Sequence, residues 1–241
     1  PIANVFIQES TEDKMSERSF SEESKAEIRE YRAEARFLRA LSYYHAMDMF
    51  GNVPFVDENT VIGSSDVPQI SRSDLFDWIE SELLAIEDIL LEPSQVPYGR
   101  ASKAAAQSLL AKMYLNAEVY TGNSRWSDCI AYCNEVIGDG TFYLDDDYSH
   151  LFMADNHNSP EFIFPVCFDG NFTQTWGGAT FLINAAIGST MDPADYGSSG
   201  GWKKVEPAPV VKKRARQVEP ESNEKERKKK KKRRKIPPFS K

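Results

Sequence analysis

The residues of this 241-residue chain best suited to chemistry are aromatic rings set among Gly, Asn and Ser. Residues 170–201 hold seven of the thirteen glycines, with Phe172, Trp176, Phe181, Tyr196 and Trp202 in or beside that stretch. Such loops suit sugar recognition: pyranose C–H faces stack on rings while amides and hydroxyls satisfy the ring hydroxyls. Asn171, Gln174, Trp176 and Tyr196 are therefore the candidate ligand contacts. Aromatic residues in long loops also pin the loop to a core, and for Trp176 both readings stand.

Other chemistries have weaker support. Asp145, Asp146 and Asp147 with Asp155 could offer oxygens to calcium, but the spacing lacks the central Gly of an EF-hand loop, and a solvated acidic loop is the preferred reading. Carboxylates for glycoside hydrolysis cannot be singled out among 37 acidic residues. Cys129, Cys133 and Cys167 are too few for a disulfide framework. With His45, His150 and His157 they give no zinc-ligand spacing, so no metal or cofactor is expected. There is no G-x-S-x-G, phosphate loop or H-E-x-x-H, so the chain reads as a binding protein and not an enzyme. Arg32, Arg36 and Arg39 form a basic helical stripe expected to pair with carboxylates. Trp78 and Trp126, with Cys129, Cys133, Ile130 and Ile137 beside the latter, are expected to pack in the core.

These residues need a scaffold, and the pattern is helical. Ala33, Phe37, Ala40, Tyr44 and Met47 alternate steps of four and three, one apolar stripe of a helix that ends near Phe50. Gly51 supplies a left-handed stop, and Pro54 stiffens the exit. Ser71 and Asp74 form a capping-box-like start to a helix with Leu75, Ile79, Leu83, Ile86 and Leu90 on one face. An alanine-rich helix begins near Ser102, runs through Ala117 and breaks at residues 122–124; a further helix runs from about Arg125 to Gly138. Residues 161–168 read as a short strand with Pro165 at an edge or bulge. The class is mainly α: tetratricopeptide-like helical hairpins with long loops and a short strand, although strict 34-residue periodicity is absent.

Three motifs in order carry a family resemblance. Glu34-Ala35-Arg36-Phe37-Leu38-Arg39-Ala40 precedes Phe50-Gly51-Asn52-Val53-Pro54. Gly99-Arg100-Ala101-Ser102-Lys103-Ala104-Ala105-Ala106, leading into Leu109-Leu110-Ala111-Lys112-Met113-Tyr114-Leu115, follows downstream, and Asn158-Ser159-Pro160-Glu161-Phe162-Ile163-Phe164 after that. Over roughly residues 20–202 the chain resembles the SusD/RagB family. The resemblance implies capture of oligosaccharides at the bacterial outer-membrane surface for a SusC-like TonB-dependent transporter. It also implies membrane attachment through a lipid anchor that this chain lacks, so the chain is read as a fragment or processed product.

Charge divides the chain. Residues 1–202 carry 12 Lys and Arg against 32 Asp and Glu, residues 203–241 carry 17 against 5, and the net of −8 hides a body of −20 and a tail of +12. Phosphate repulsion argues against nucleic-acid binding by the body, so any such binding falls to the tail. Its run KERKKKKKRRK at 225–235 cannot build a packed core, so two regions are expected: a helical domain over 1–202 and a disordered basic tail over 203–241. The alternative function is a tetratricopeptide-type protein adaptor whose tail directs it to nucleic acid or the nucleus.

Overall fold

The computed structural model describes residues 2–61, 63, 67–152, 156–167, 181, 184, 185, 187, 188 and 191–196. Helices α1 (Ile2–Glu9) and α2 (Glu12–Glu17) lead into α3 (Glu22–Phe50), which is followed by the two-residue strands β1 (Val53–Pro54) and β2 (Gln69–Ile70). Helices α4 (Arg72–Ile86), α5 (Lys103–Leu115), α6 (Ala117–Thr121) and α7 (Trp126–Asp139) come next, and short 3-10 turns follow. The strands pair antiparallel, Val53 opposite Ile70 and Pro54 opposite Gln69. Two compact units emerge, Pro1–Cys167 and Phe168–Lys241. The boundary expected at 202 and the whole tail lie outside the described residues.

Local chemistry sets the helix ends. Ser21, Ser71 and Ser102 each stand in extended geometry, and each side chain accepts a hydrogen bond from the backbone N–H three residues on. Each such cap stabilises its helix by about 1 kcal/mol. Ser71 also donates its hydroxyl to Asp74 Oδ2 at 2.6 Å, the reciprocal use of a capping pair. Helix α3 stops where Gly51 takes φ 72°, a positive angle only glycine adopts without strain.

All five stripe residues of α3, Ala33, Phe37, Ala40, Tyr44 and Met47, are buried, and so are Leu75, Ile79, Leu83, Ile86 and Leu90. They join the inner face of α5 in one core. Each fully buried large apolar side chain contributes about 1.5–3 kcal/mol, so this shared core is what holds α3, α4 and α5 together. Small side chains at Ala104, Ala105 and Ala106 are buried, which lets neighbouring helices approach closely. Tyr114 meets Tyr132 with ring centroids 5.6 Å apart, joining α5 to α7 as a hairpin.

Four expectations are corrected. Residues 161–167 form turns and bends, not a strand: Pro165 removes a donor, and Phe164 instead sets its ring edge-on against Phe37 at 5.2 Å. The alanine-rich helix breaks at Asn116, whose backbone leaves helical geometry before α6 begins. Helix α7 runs through Gly138 and stops at Gly140, φ 76°. Trp126, Ile130 and Ile137 are 58%, 62% and 72% exposed, so the stripe read as core faces solvent. Helix α7 packs instead through Cys129 and Tyr132, about a quarter-turn round the helix.

Candidate functional site

Two arrangements in the described residues matter for function: a charged frame around the α3 motif, and an irregular, aromatic-bearing segment anchored to it. The frame begins with Glu82 on α4, which accepts from Arg36 Nε and Nη2 at 3.1 and 2.9 Å and from Arg39 Nη2 at 2.7 Å. Arg39, only 4% exposed, also reaches Glu58 at 2.5 Å and Asn4 Oδ1 at 3.1 Å, and lies 5.0 Å over the Trp78 ring. Trp78 in turn packs edge-on against Tyr43 and Phe55. Burial alone would raise the Glu82 carboxyl, but the Arg36 and Arg39 hydrogen bonds outweigh it and hold it below the usual carboxylate range. Arg32 departs from the expected carboxylate pairing: it donates to the Ile7 carbonyl and, at 3.1 Å, to Ser10 Oγ, tying α1 to α3.

Arg100 pairs in fork fashion with Glu34 and covers the Tyr31 ring at 4.7 Å. The acid of the first motif therefore pairs with Arg100, while its two basic residues converge on Glu82. Tyr43 completes the frame, donating to the Val56 carbonyl at 2.7 Å and accepting from the Val56 N–H at 2.8 Å. Beside it, Asn4, Val5, Gln8, Val56, Asp57, Glu58, Thr60, Val61, Gly63 and Val67 line an open cleft of about 220 Å³. Its aliphatic walls hold no ring on which a sugar could stack.

The third motif fastens the irregular segment. Phe164 plugs against Phe37, Glu161 Oε1 accepts from the Asp145 N–H at 2.7 Å, and Ser159 Oγ accepts from the Glu161 N–H at 3.3 Å. Asn156 Nδ2 donates to the Leu151 carbonyl at 3.0 Å. Gly99, at φ 83°, lies so close to Cys167 that a Cβ there would stand 2.6 Å from the thiol sulfur. On this fixed backbone several rings remain in solvent. Tyr98 meets His157 edge-on at 6.3 Å, Tyr148 meets Phe152 at 5.2 Å, and Tyr98, Tyr143, Tyr148 and Phe152 are all exposed. Exposed rings beside Asp, Ser, Asn and His side chains can stack on apolar sugar faces while the polar groups meet hydroxyls.

Asn171, Gln174 and Trp176 lie outside the described residues. Tyr196 closes a 3-10 turn, Pro193–Tyr196, whose backbone alone is described at that residue. Sequence reasoning passed over Tyr98, Tyr143, Tyr148 and Phe152, although the last three stand in a helix-poor, Asp- and Asn-rich stretch that was a readable signal. Asp147 Oδ1 accepts from the Ser149 N–H and hydroxyl, and Asp145 Oδ1 lies 3.2 Å from His150 Nδ1. One oxygen of each of these two carboxylates is thus engaged in a local turn, and Asp155 lies outside the described residues. Among the described residues no cluster of three His, Cys, Asp or Glu is arranged for a metal, and no helix is long and apolar enough to cross a membrane.

Comparison with known proteins gives one consistent result. Residues 8–115 match a SusD-like family described as starch-binding and associating with the outer membrane. The starch-binding protein SusD of Bacteroides thetaiotaomicron is 40% identical over 185 residues, which cover 75% of this chain and 32% of that protein. A SusD-like carbohydrate-binding protein of Bacteroides fragilis superposes with a TM-score of 0.61 at 28% identity, covering 78% of this chain and 34% of its own. A laminarin-binding SusD-like protein gives 0.58 at 27% identity, covering 77% and 40%. The chain spans about a third of the length of SusD. Its three motifs form the charged frame and the anchor of the irregular segment, and the match to SusD spreads across three quarters of its length; by both measures, the chain belongs to the SusD/RagB family.

Proposed function

We propose that the chain captures glycans at the bacterial cell surface and passes them, uncleaved, to a SusC-like TonB-dependent outer-membrane transporter. The observation that carries this reading is the set of solvent-facing rings, Tyr98, Tyr148 and Phe152 foremost, beside a segment that Phe164 anchors on Phe37 of the core and that Glu161 on Asp145 and Cys167 against Gly99 draw together. A ring-bearing surface holds a sugar with little ordering cost, because aromatic side chains have few rotamers to lose. Asn171, Gln174, Trp176 and Tyr196 supply further contacts in this proposal. The starch-binding and laminarin-binding descriptions of its relatives support an oligosaccharide ligand. Attachment through a lipid anchor to the outer membrane accords with the family's outer-membrane association. The same descriptions favour glycan capture over the adaptor alternative.

The test is an immobilised-glycan screen of the full chain beside Tyr98→Ala, Phe152→Ala and Trp176→Ala, with circular dichroism to confirm folding and chromatography of the recovered glycan. The expected result is retention that weakens in folded variants, with glycan of unchanged length. Retention untouched in all three variants, or shortened glycan, would overturn the proposal.

A further inference from the structure

The proposed glycan surface makes no use of the thiols on α7. Cys129 and Cys133 stand four residues apart in that helix, so they project from one side of it, one turn above the other. Cys129 is partly buried against the core and Cys133 is exposed, which opens the pair to solvent at one end. The two sulfurs stand close enough to affect each other: burial first, and then the Cys133 thiol beside it, push the Cys129 thiol above its usual range. Cys167, the third thiol of the chain, packs against Gly99.

The spacing decides what the pair can hold. Helix residues four apart have Cβ atoms about 5–6 Å from each other. A disulfide needs about 3.5–4.5 Å between Cβ atoms, so an S–S bond would require the helix to distort. An ion between two thiolates fits the wider gap. At about 2.3 Å per metal–sulfur bond, a linear bridge separates the sulfurs by about 4.6 Å, which rotation about the two Cα–Cβ bonds reaches without moving the backbone. Zinc would need two more ligands, and among the described residues no third His, Cys, Asp or Glu joins the pair. Soft ions that are content with two thiolates have no such need.

We propose that Cys129 and Cys133 form a two-coordinate site for a soft d10 cation, of which copper(I) is the probe of choice. The ion displaces both thiol protons, because the thiolate and not the thiol is the ligand. Two sulfur–metal bonds form, two S–H bonds break, both protons pass to water, and no electron changes hands. The site stands on α7 alone and does not depend on glycan capture.

Anaerobic titration of the reduced full chain with copper(I) held by ferrozine tests the site, the visible colour of the chelate reporting how much ion the protein withdraws. The expected result is one ion withdrawn per chain, equally by the parent and by Cys167→Ser, with withdrawal lost in Cys133→Ser and in Cys129→Ser. A double variant, Cys133→Ser with Asn134→Cys, keeps two thiols on the helix but turns one of them about 100° away, and it should lose withdrawal too. Withdrawal that survives in this double variant makes the spacing immaterial and overturns the proposal. So does withdrawal that is kept by Cys133→Ser, lost in Cys167→Ser or absent from the parent. Circular dichroism checks each fold. Cys133 is exposed, so its variants should fold, and they decide the matter should Cys129→Ser unfold. X-ray absorption at the copper edge of the loaded parent should show two sulfur neighbours, and a shell of three or four would overturn the two-coordinate assignment.

Discussion

Replacing Glu82 with Ala removes the carboxylate that joins Arg36 and Arg39 across the α3–α4 contact. Arg39 is nearly inaccessible, its side chain 4% exposed, and Glu82 is 13% exposed, so the loss leaves a buried guanidinium over Trp78 with Glu58 and Asn4 as its remaining hydrogen-bond partners. Breaking a buried pair from one side costs about 3–5 kcal/mol, and the surviving Glu58 contact places this case near about 3 kcal/mol. That is more than a hundredfold in the folding equilibrium. Glu58→Ala is the internal control: Glu58 is 29% exposed and lies at the edge of the frame, so its removal should cost about 1 kcal/mol. Urea unfolding followed by circular dichroism reads both values, with the slope checking that the unfolded state is unchanged. Should Glu82→Ala lie within about 1 kcal/mol of the parent, or should Glu58→Ala cost more, the frame is not organised around Glu82 and the reasoning fails.

The same carboxylate gives a pH prediction. Its folded pKa is depressed, so its contribution is present above the unfolded value near about 4.3 and is lost as pH falls through the folded value. Unfolding free energy should therefore decline below about pH 4.5, and Glu82→Gln should flatten that decline; an unchanged acid limb would contradict the assignment. Gly99→Ala should destabilise by about 2 kcal/mol or more, because alanine is strained at φ 83° and its Cβ meets the Cys167 sulfur. Adding Cys167→Gly should recover the steric part and leave the backbone part, as thermal unfolding of the double variant would show. Phe152→Ala should weaken glycan retention by about tenfold with little change in stability, since the ring is 72% exposed; a loss of folding instead would make it a structural ring.

What was legible in the sequence was whatever rests on period and capping. The alternation of four and three from Ala33 to Met47 can be satisfied only by a helix with that face inward, and serine caps at 71 and 102 are local devices that act before any tertiary contact. Helix α7 shows where period stops helping. Its sequence offers two apolar arcs, Trp126-Ile130-Cys133-Ile137 and Cys129-Tyr132-Val136, and period alone cannot say which one α5 takes. The polar handles of the second arc decide it, because Tyr132 can reach Glu87 while packing on Tyr114. Residues 161–167 fail as a strand for a related reason. Alternating aromatics need a neighbouring ladder, and the nearest favourable contact for Phe164 is a ring, Phe37, rather than a backbone edge.

The candidate site was legible only in its chemistry. Aromatic residues among Gly, Asn and Ser at 170–202 pointed to sugars, but Asn171, Gln174 and Trp176 lie outside the described residues, and the exposed rings at 98–152 sit beside anchors far apart in sequence, such as Glu161 on Asp145 and Cys167 against Gly99. The arginine stripe was read as paired, and for Arg36 and Arg39 it is. Arg32 instead reaches the end of α1, while Arg39 takes Glu82 and Glu58.

Glycan capture by the exposed rings is tested most directly by electrophoresis of the native full chain through gels with and without polysaccharide, starch and laminarin in separate lanes, beside a Phe152→Ala, Trp176→Ala double variant of confirmed fold. Retardation of the parent chain in at least one polysaccharide, lost in the double variant, is the predicted result. Equal retardation of both proteins, or free migration of the folded parent chain in every gel, would contradict it.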